Sequence, residues 1–90
     1  MSKEKLEKMK KAIGYADLYA GRDSYLAYRN IFLCTQPDSD WEELVREGLA
    51  YNNAAQQWSA HLISYIISER GFALLEQLLG CRINRLGRAG

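Results

Sequence analysis

The stretch SDWEELVREGLAYNNAAQQWSAHLISYIISERGFALLEQLLG, residues 39–80, sets out two short helices with an extended hairpin between them. Ser39 followed by Glu42 has the spacing of a capping box, in which each side chain reaches a free backbone N–H of the first turn. Trp41, Leu44 and Val45 fall on one face, and Gly48 stands where a helix over 40–47 would stop. Leu49, Ala50 and Tyr51 lead out as a strand near 49–52, and Asn52 to Gln57 are polar or small, as a hairpin loop requires. A returning strand is expected near 60–67. There Leu62, Ile63, Tyr65, Ile66 and Ile67 place apolar groups on both alternating faces, so the strand is central in its sheet or covered on both sides. Ser68 caps a last helix over 69–79, and Gly80 ends it.

Working back from this stretch, Leu6, Met9, Ile13 and Ala16 recur at helical steps among lysines and glutamates, which predicts a first helix over 3–16. Residues 24–34 read either as a short helix around 24–30 that continues, or as a brief buried strand at Ile31-Phe32-Leu33-Cys34. Periodicity does not separate the two. Pro37, the single proline, ends whichever element precedes it. Beyond Gly80, residues 81–90 carry Arg82, Arg85 and Arg88 with no acidic residue, and read as a basic tail on a single domain over 1–80.

Ninety residues with 48% hydrophobic and 26% charged content suit one small core rather than a disordered chain. The net charge of +1 demands no polyanionic partner. Neither of the longest apolar runs, Ile31 to Cys34 and the interrupted Leu62 to Ile67, approaches the roughly 20 residues that span a bilayer. The charged start, Met1-Ser2-Lys3-Glu4-Lys5, has no apolar segment behind it, and the expected setting is cytoplasmic. Cys34 and Cys81, the only cysteines, are expected to be reduced there.

Tyr28-Arg29-Asn30-Ile31-Phe32, Asp40-Trp41 with Leu44-Val45 and Gly48-Leu49, and Tyr65-Ile66-Ile67-Ser68 with Gly71 and Leu75 resemble small phage- and prophage-encoded proteins of unknown role. The second half is also similar to the recognition helix and wing of multiple-antibiotic-resistance-type repressors. The resemblance implies an α+β, winged-helix-like domain of about three to four helices with a β-hairpin wing. In such a repressor the helix before the wing presents basic or amide side chains to the major groove. Here residues 36–47 hold Asp38, Asp40, Glu42, Glu43 and Glu47 against Arg46 alone, a face that phosphates repel. Residues 52–57 also lack a basic group.

Candidate nucleic-acid contacts are therefore confined to the ends of the chain: Lys8, Lys10 and Lys11 on the first helix, and Arg82, Arg85 and Arg88 in the tail. Acidic groups near a helix start also have a purely structural reason, because they complement the helix dipole. His61, the sole histidine, lies far from either cysteine and reads as a strand or wing residue; no metal-ligand spacing occurs, and no cofactor is implied. No nucleophile stands beside a base and there is no glycine-rich phosphate loop, so a hydrolase reading has nothing to rest on. Phe72, Leu75 and Leu79 form one apolar stripe on the last helix, while Leu74 and Leu78 form a second beside it. That second stripe, rimmed by the first helix, is the candidate contact with a second copy or another protein. Trp58, at the loop–strand junction, either packs under the hairpin or anchors a partner. The expectation is a small intracellular, non-enzymatic interaction module with no membrane contact; the alternative is a nucleic-acid-binding regulator working through its basic ends.

Overall fold

Helix α1, Lys3–Ala12, begins at Ser2, whose hydroxyl accepts a hydrogen bond from the Lys5 N–H. It stops at Ala12 rather than at residue 16, because Gly14 turns the chain at φ +75°. The carbonyls left over at its end find tertiary donors. Lys11 O accepts from the Arg29 guanidinium at 2.8 Å, Ala12 O from the Ile31 N–H at 3.1 Å, and Ile13 O from the Tyr25 hydroxyl at 3.0 Å. The computed structural model describes residues 1–19, 21–52 and 62–85, with Asp17 described by its backbone alone.

After a 3-10 turn at Asp17–Tyr19, residues 24–34 form two strands and no helix: β1, Ser24–Ala27, and β2, Phe32–Cys34. In β1 burial alternates, with Tyr25 and Ala27 inward and Ser24 and Leu26 outward, a period of two that no helix satisfies. Tyr25 packs edge-on against Tyr15 at 5.2 Å and close to Tyr19 at 5.0 Å, which gathers these three tyrosines into one cluster.

Helix α2, Ser39–Arg46, has Asp38 as its N-cap, not Ser39. The Asp38 carboxylate accepts from the Asp40 and Trp41 N–H groups at 3.0 and 3.1 Å. A charged acceptor one residue earlier interacts with the positive helix end more strongly than a hydroxyl does. Glu42 closes no capping box, because its carboxylate accepts the Tyr65 O–H at 2.5 Å.

Strands β3, Ala50–Asn52, and β4, Ile63–Ile67, are antiparallel, and β2 pairs antiparallel with the other edge of β4. The order β2-β4-β3 makes β4 central, as its two-faced apolar pattern requires. Continuing the β2–β4 register past Phe32↔Tyr65 would bring Asn30 opposite Ile67. The backbone there is committed to α1, and the Asn30 side chain takes the strand's place. Its Oδ1 accepts from the Ile67 N–H at 2.8 Å and its Nδ2 donates to the Ile67 carbonyl at 3.0 Å.

Helix α3, Glu69–Leu79, has the expected bounds. Ser68 caps it through the Gly71 N–H and donates its own hydroxyl to the Gly48 carbonyl at 2.7 Å, which ties the helix to the end of α2. Residues 82–85, expected in a basic tail, form strand β5, Arg82–Arg85, which runs parallel to β1 in a separate two-stranded sheet. The described residues thus make a small α+β fold of three α-helices and five strands in two sheets. Among them no helix is long and apolar enough to cross a membrane.

Met9, Ile13, Trp41, Leu44, Tyr65 and Leu75 are completely buried and define the core. Trp41 stacks on Tyr65 with ring centres 5.6 Å apart at 12°, and Phe32 lies 5.4 Å from Trp41. The indole Nε1–H is buried with no hydrogen-bond partner among the described residues.

Gly71 shows where packing overrides helix propensity. A Cβ built there would lie 2.2 Å from the Leu49 carbonyl oxygen and 2.6 Å from Ile67 Cγ2. Propensity alone makes Gly71→Ala favourable by ~1 kcal/mol; the backbone clash predicts the opposite, a loss of about 2–3 kcal/mol. Urea unfolding monitored by circular dichroism checks the sign, through a lower midpoint at unchanged slope.

Candidate functional site

The acidic residues of α2 are turned onto α1. Lys8 Nζ lies 2.8 Å from Asp38 Oδ2 and 2.9 Å from Asp40 Oδ2, and Lys5 Nζ lies 2.7 Å from Glu43 and 3.5 Å from Glu47. One face of α1 therefore carries counter-charges along α2 from its N-cap to its C-cap, and the face that seemed repulsive to a phosphate is an intramolecular seam. Burial pushes the Asp38 carboxyl upward, but the Lys8 ammonium and the Trp41 and Asp40 N–H groups outweigh it and hold it below the ordinary carboxylate range. The Lys8 ammonium is raised by its hydrogen bonds to Asp38 and then Asp40.

Tyr65 couples this seam to the sheet. Its oxygen donates to Glu42 and accepts from the Asp38 N–H at 3.3 Å. Burial, then the Glu42 hydrogen bond, push the phenol up to about 12. The hydroxyl therefore stays protonated and serves as a structural donor.

The structure brings Lys8, Lys10 and Lys11 to the rim of one cleft of about 310 Å³, whose wall includes Glu7, Tyr15 and Phe32. Two of the three are engaged within the fold: Lys8 as above, and Lys10 with Glu7 at 3.0 Å. Lys11 is exposed and pairs with no carboxylate among the described residues. Arg85 is also engaged. It forks onto the Glu69 carboxylate at 2.8 and 2.9 Å and lies 4.6 Å from the Phe72 ring centre, directed at α3 and not at α1. Arg82 is exposed beside a different cleft, with Asp23, Ser24 and Glu76. Among the described residues, the two basic ends therefore do not merge into one patch. Arg88, Trp58 and His61 lie outside the described residues.

The expected dimer stripe is reduced. Met9 and Ile13 are consumed by the core, so α1 has no apolar face left to rim an interface. Leu74 is half-buried against the core, and Leu78 alone stands out, 45% exposed. Phe72 and Leu75 point inward as read.

An apolar surface that the sequence reading missed lies on the outer face of the three-stranded sheet. Leu33 is 46% exposed and Tyr51 57%, and both share that face with half-buried Ile66. The alternation in Phe32-Leu33-Cys34 was the available signal, since a strand there must turn Leu33 away from Phe32.

Among the described residues no group of three or more His, Cys, Asp or Glu is arranged to hold a metal ion. Cys34 and Cys81 are unpaired, and burial pushes both thiols up, away from the thiolate that makes a cysteine nucleophilic. Compared with family models, curated proteins and solved structures, the chain matches none.

The seam carries a pH signature. Asp38 has a depressed carboxyl in the folded state, so its contribution is complete above the unfolded carboxylate range. It fades as acid protonates the group, below about pH 4. Asp38→Ala removes both the N-cap and the Lys8 contact. It should cost about 2 kcal/mol at pH 7, a gap that narrows as the pH is taken below 4 in parallel thermal melts.

Proposed function

We propose that this chain is a small, non-enzymatic protein-interaction module, working inside the cell and of phage or prophage type, on a winged-helix-like frame. The winged-helix-like reading is supported by the succession α2, β3, β4, α3, with Ser68 capping the last helix directly from the strand. The phage affinity rests on the residues that carry the resemblance. The observation that carries the interaction reading is the outer face of the three-stranded sheet, where Leu33, Ile66 and Tyr51 leave apolar surface beyond what the core uses. Tyrosine in such a place contributes a large, rigid contact area with a polar tip.

Nucleic-acid binding through the basic ends has less support. Lys8, Lys10 and Arg85 are occupied by carboxylates of the same chain. Helix α2 is approached from strand β2 and not from a second helix, so the helix-turn-helix pair that enters a major groove has no counterpart there.

Two measurements separate the readings. The full chain used as bait in a lysate of its native host should retain a defined protein, and Leu33→Glu with Tyr51→Glu should abolish that retention while the circular dichroism spectrum is unchanged. Titrated against duplex DNA, the protein should bind no more tightly than the ~10⁻⁴–10⁻⁶ M of non-specific contacts at physiological salt. A tight complex whose affinity falls steeply with salt, and which weakens in Lys11→Gln with Arg82→Gln, would instead establish the regulator.

A further inference from the structure

The β1–β5 sheet has two outer edges, and the protein treats them differently. On β5 the Arg82 N–H bonds to the Asp23 carbonyl, so by alternation Ile83 faces away from β1; its N–H is taken by the Glu76 carboxylate at 2.8 Å. A charged side chain placed on edge amides is a recognised way to block further strand pairing. On β1 the same alternation turns the backbone groups of Tyr25 and Ala27 toward β5 and those of Ser24 and Leu26 outward. Among the described residues no strand pairs with that outer edge. Its four residues, Ser-Tyr-Leu-Ala, contain no charge and no proline, and Leu26 is 52% exposed.

From this edge we infer that β1 pairs antiparallel with β1 of a second copy of the chain, with Leu26 on the two-fold axis. The outward-facing backbone groups are those of even-numbered residues, and a register centred on Leu26 sets Leu26 against Leu26 and Ser24 against position 28, so every hydrogen-bonded pair joins outward-facing groups. The same register sets Asp23 of each copy opposite Arg29 of the other. Both residues are exposed and neither is paired with an opposite charge among the described residues; Arg29 donates to Lys11 O and lies 5.6 Å from the Tyr28 ring centre, which leaves it further N–H donors. A parallel arrangement would instead face Asp23 with Asp23. This opposite-charge flanking, one acid before the strand and one base after it, is what selects a second copy in antiparallel orientation as the occupant. The joined sheet would run β5-β1-β1-β5, with each outer edge closed by Glu76.

This inference rests on the reading of the protein as an interaction module and names one partner for it. Sedimentation equilibrium of the full 90-residue chain, from micromolar to near-millimolar concentration, tests it. The expected result is a reversible monomer–dimer equilibrium. Leu26→Lys, which sets two like charges face to face on the axis, should weaken it at least about fivefold. Asp23→Arg and Arg29→Asp should each weaken it, and the double variant should recover the wild-type constant, because the pair is restored with reversed sign. Leu78→Glu should leave it unchanged. Should Leu26→Lys fail to fold, the charge exchange still decides the matter, since both positions are exposed. A monomer at every concentration overturns the inference. So does a dimer that survives Leu26→Lys and dissolves in Leu78→Glu, or a double exchange that fails to recover. A monomer that still retains a host protein through Leu33 and Tyr51 would sink this inference and leave the interaction reading standing.

Discussion

The Tyr65 hydroxyl is completely buried on the central strand, and its position fixes much of what surrounds it. Its ring stacks under Trp41, and its oxygen meets the Asp38 N–H and the Glu42 carboxylate at the start of α2. A buried phenol without partners would cost on the order of 1–3 kcal/mol, so the helix must begin where the strand presents that oxygen. Asp38 then both caps α2 and receives Lys8, which brings α1 down onto the same corner. Sheet, second helix and first helix are thus tied at one point, partly by aromatic packing and partly by hydrogen bonds whose partners are charged.

The same corner accounts for the distribution of charge. A protein of this size has few carboxylates, and five of them cluster between residues 38 and 47. Four meet α1 lysines and the fifth holds Tyr65, so their role is internal adhesion and the strongest local field of the sequence is largely cancelled inside the fold. Beside scattered charges such as Lys11, Asp23, Arg29 and Arg82, the surface toward solvent keeps apolar ground on the outer face of the three-stranded sheet and at the open edge of β1. Surfaces of that kind suit another polypeptide better than a polyanion.

Within the described residues of 39–80, the elements were legible because their signals are local, while the expected hairpin loop over 53–57 lies outside the described residues. A cap, a glycine stop and a two-faced strand each act within a few positions, and α3 matches its expected bounds. The alternation of strand β1 was also local but was masked by the tyrosines crowding around it. What could not be read depends on residues distant in sequence. The parallel pairing of residues 24–27 with 82–85, the Asn30 amide standing in for a strand, and the docking of Lys5 and Lys8 on α2 have no periodicity to announce them. The same limit applies to the candidate cations: sequence marks a lysine as basic but does not say that Lys8 meets Asp38 or Lys10 meets Glu7. The placement of Ser39 as a cap missed by one residue, since Asp38 offers the stronger acceptor.

The pairing of β1 with β5 has a consequence for synthesis of the chain. Tyr25 and Ile83 bury each other across a ribbon whose two strands lie far apart in the sequence, β1 being made long before β5. Until β5 has been made, β1 has no partner strand within its own molecule. Completion of this ribbon is therefore governed by a long loop closure, and until it happens the β1 edge stays open to capture by chaperones.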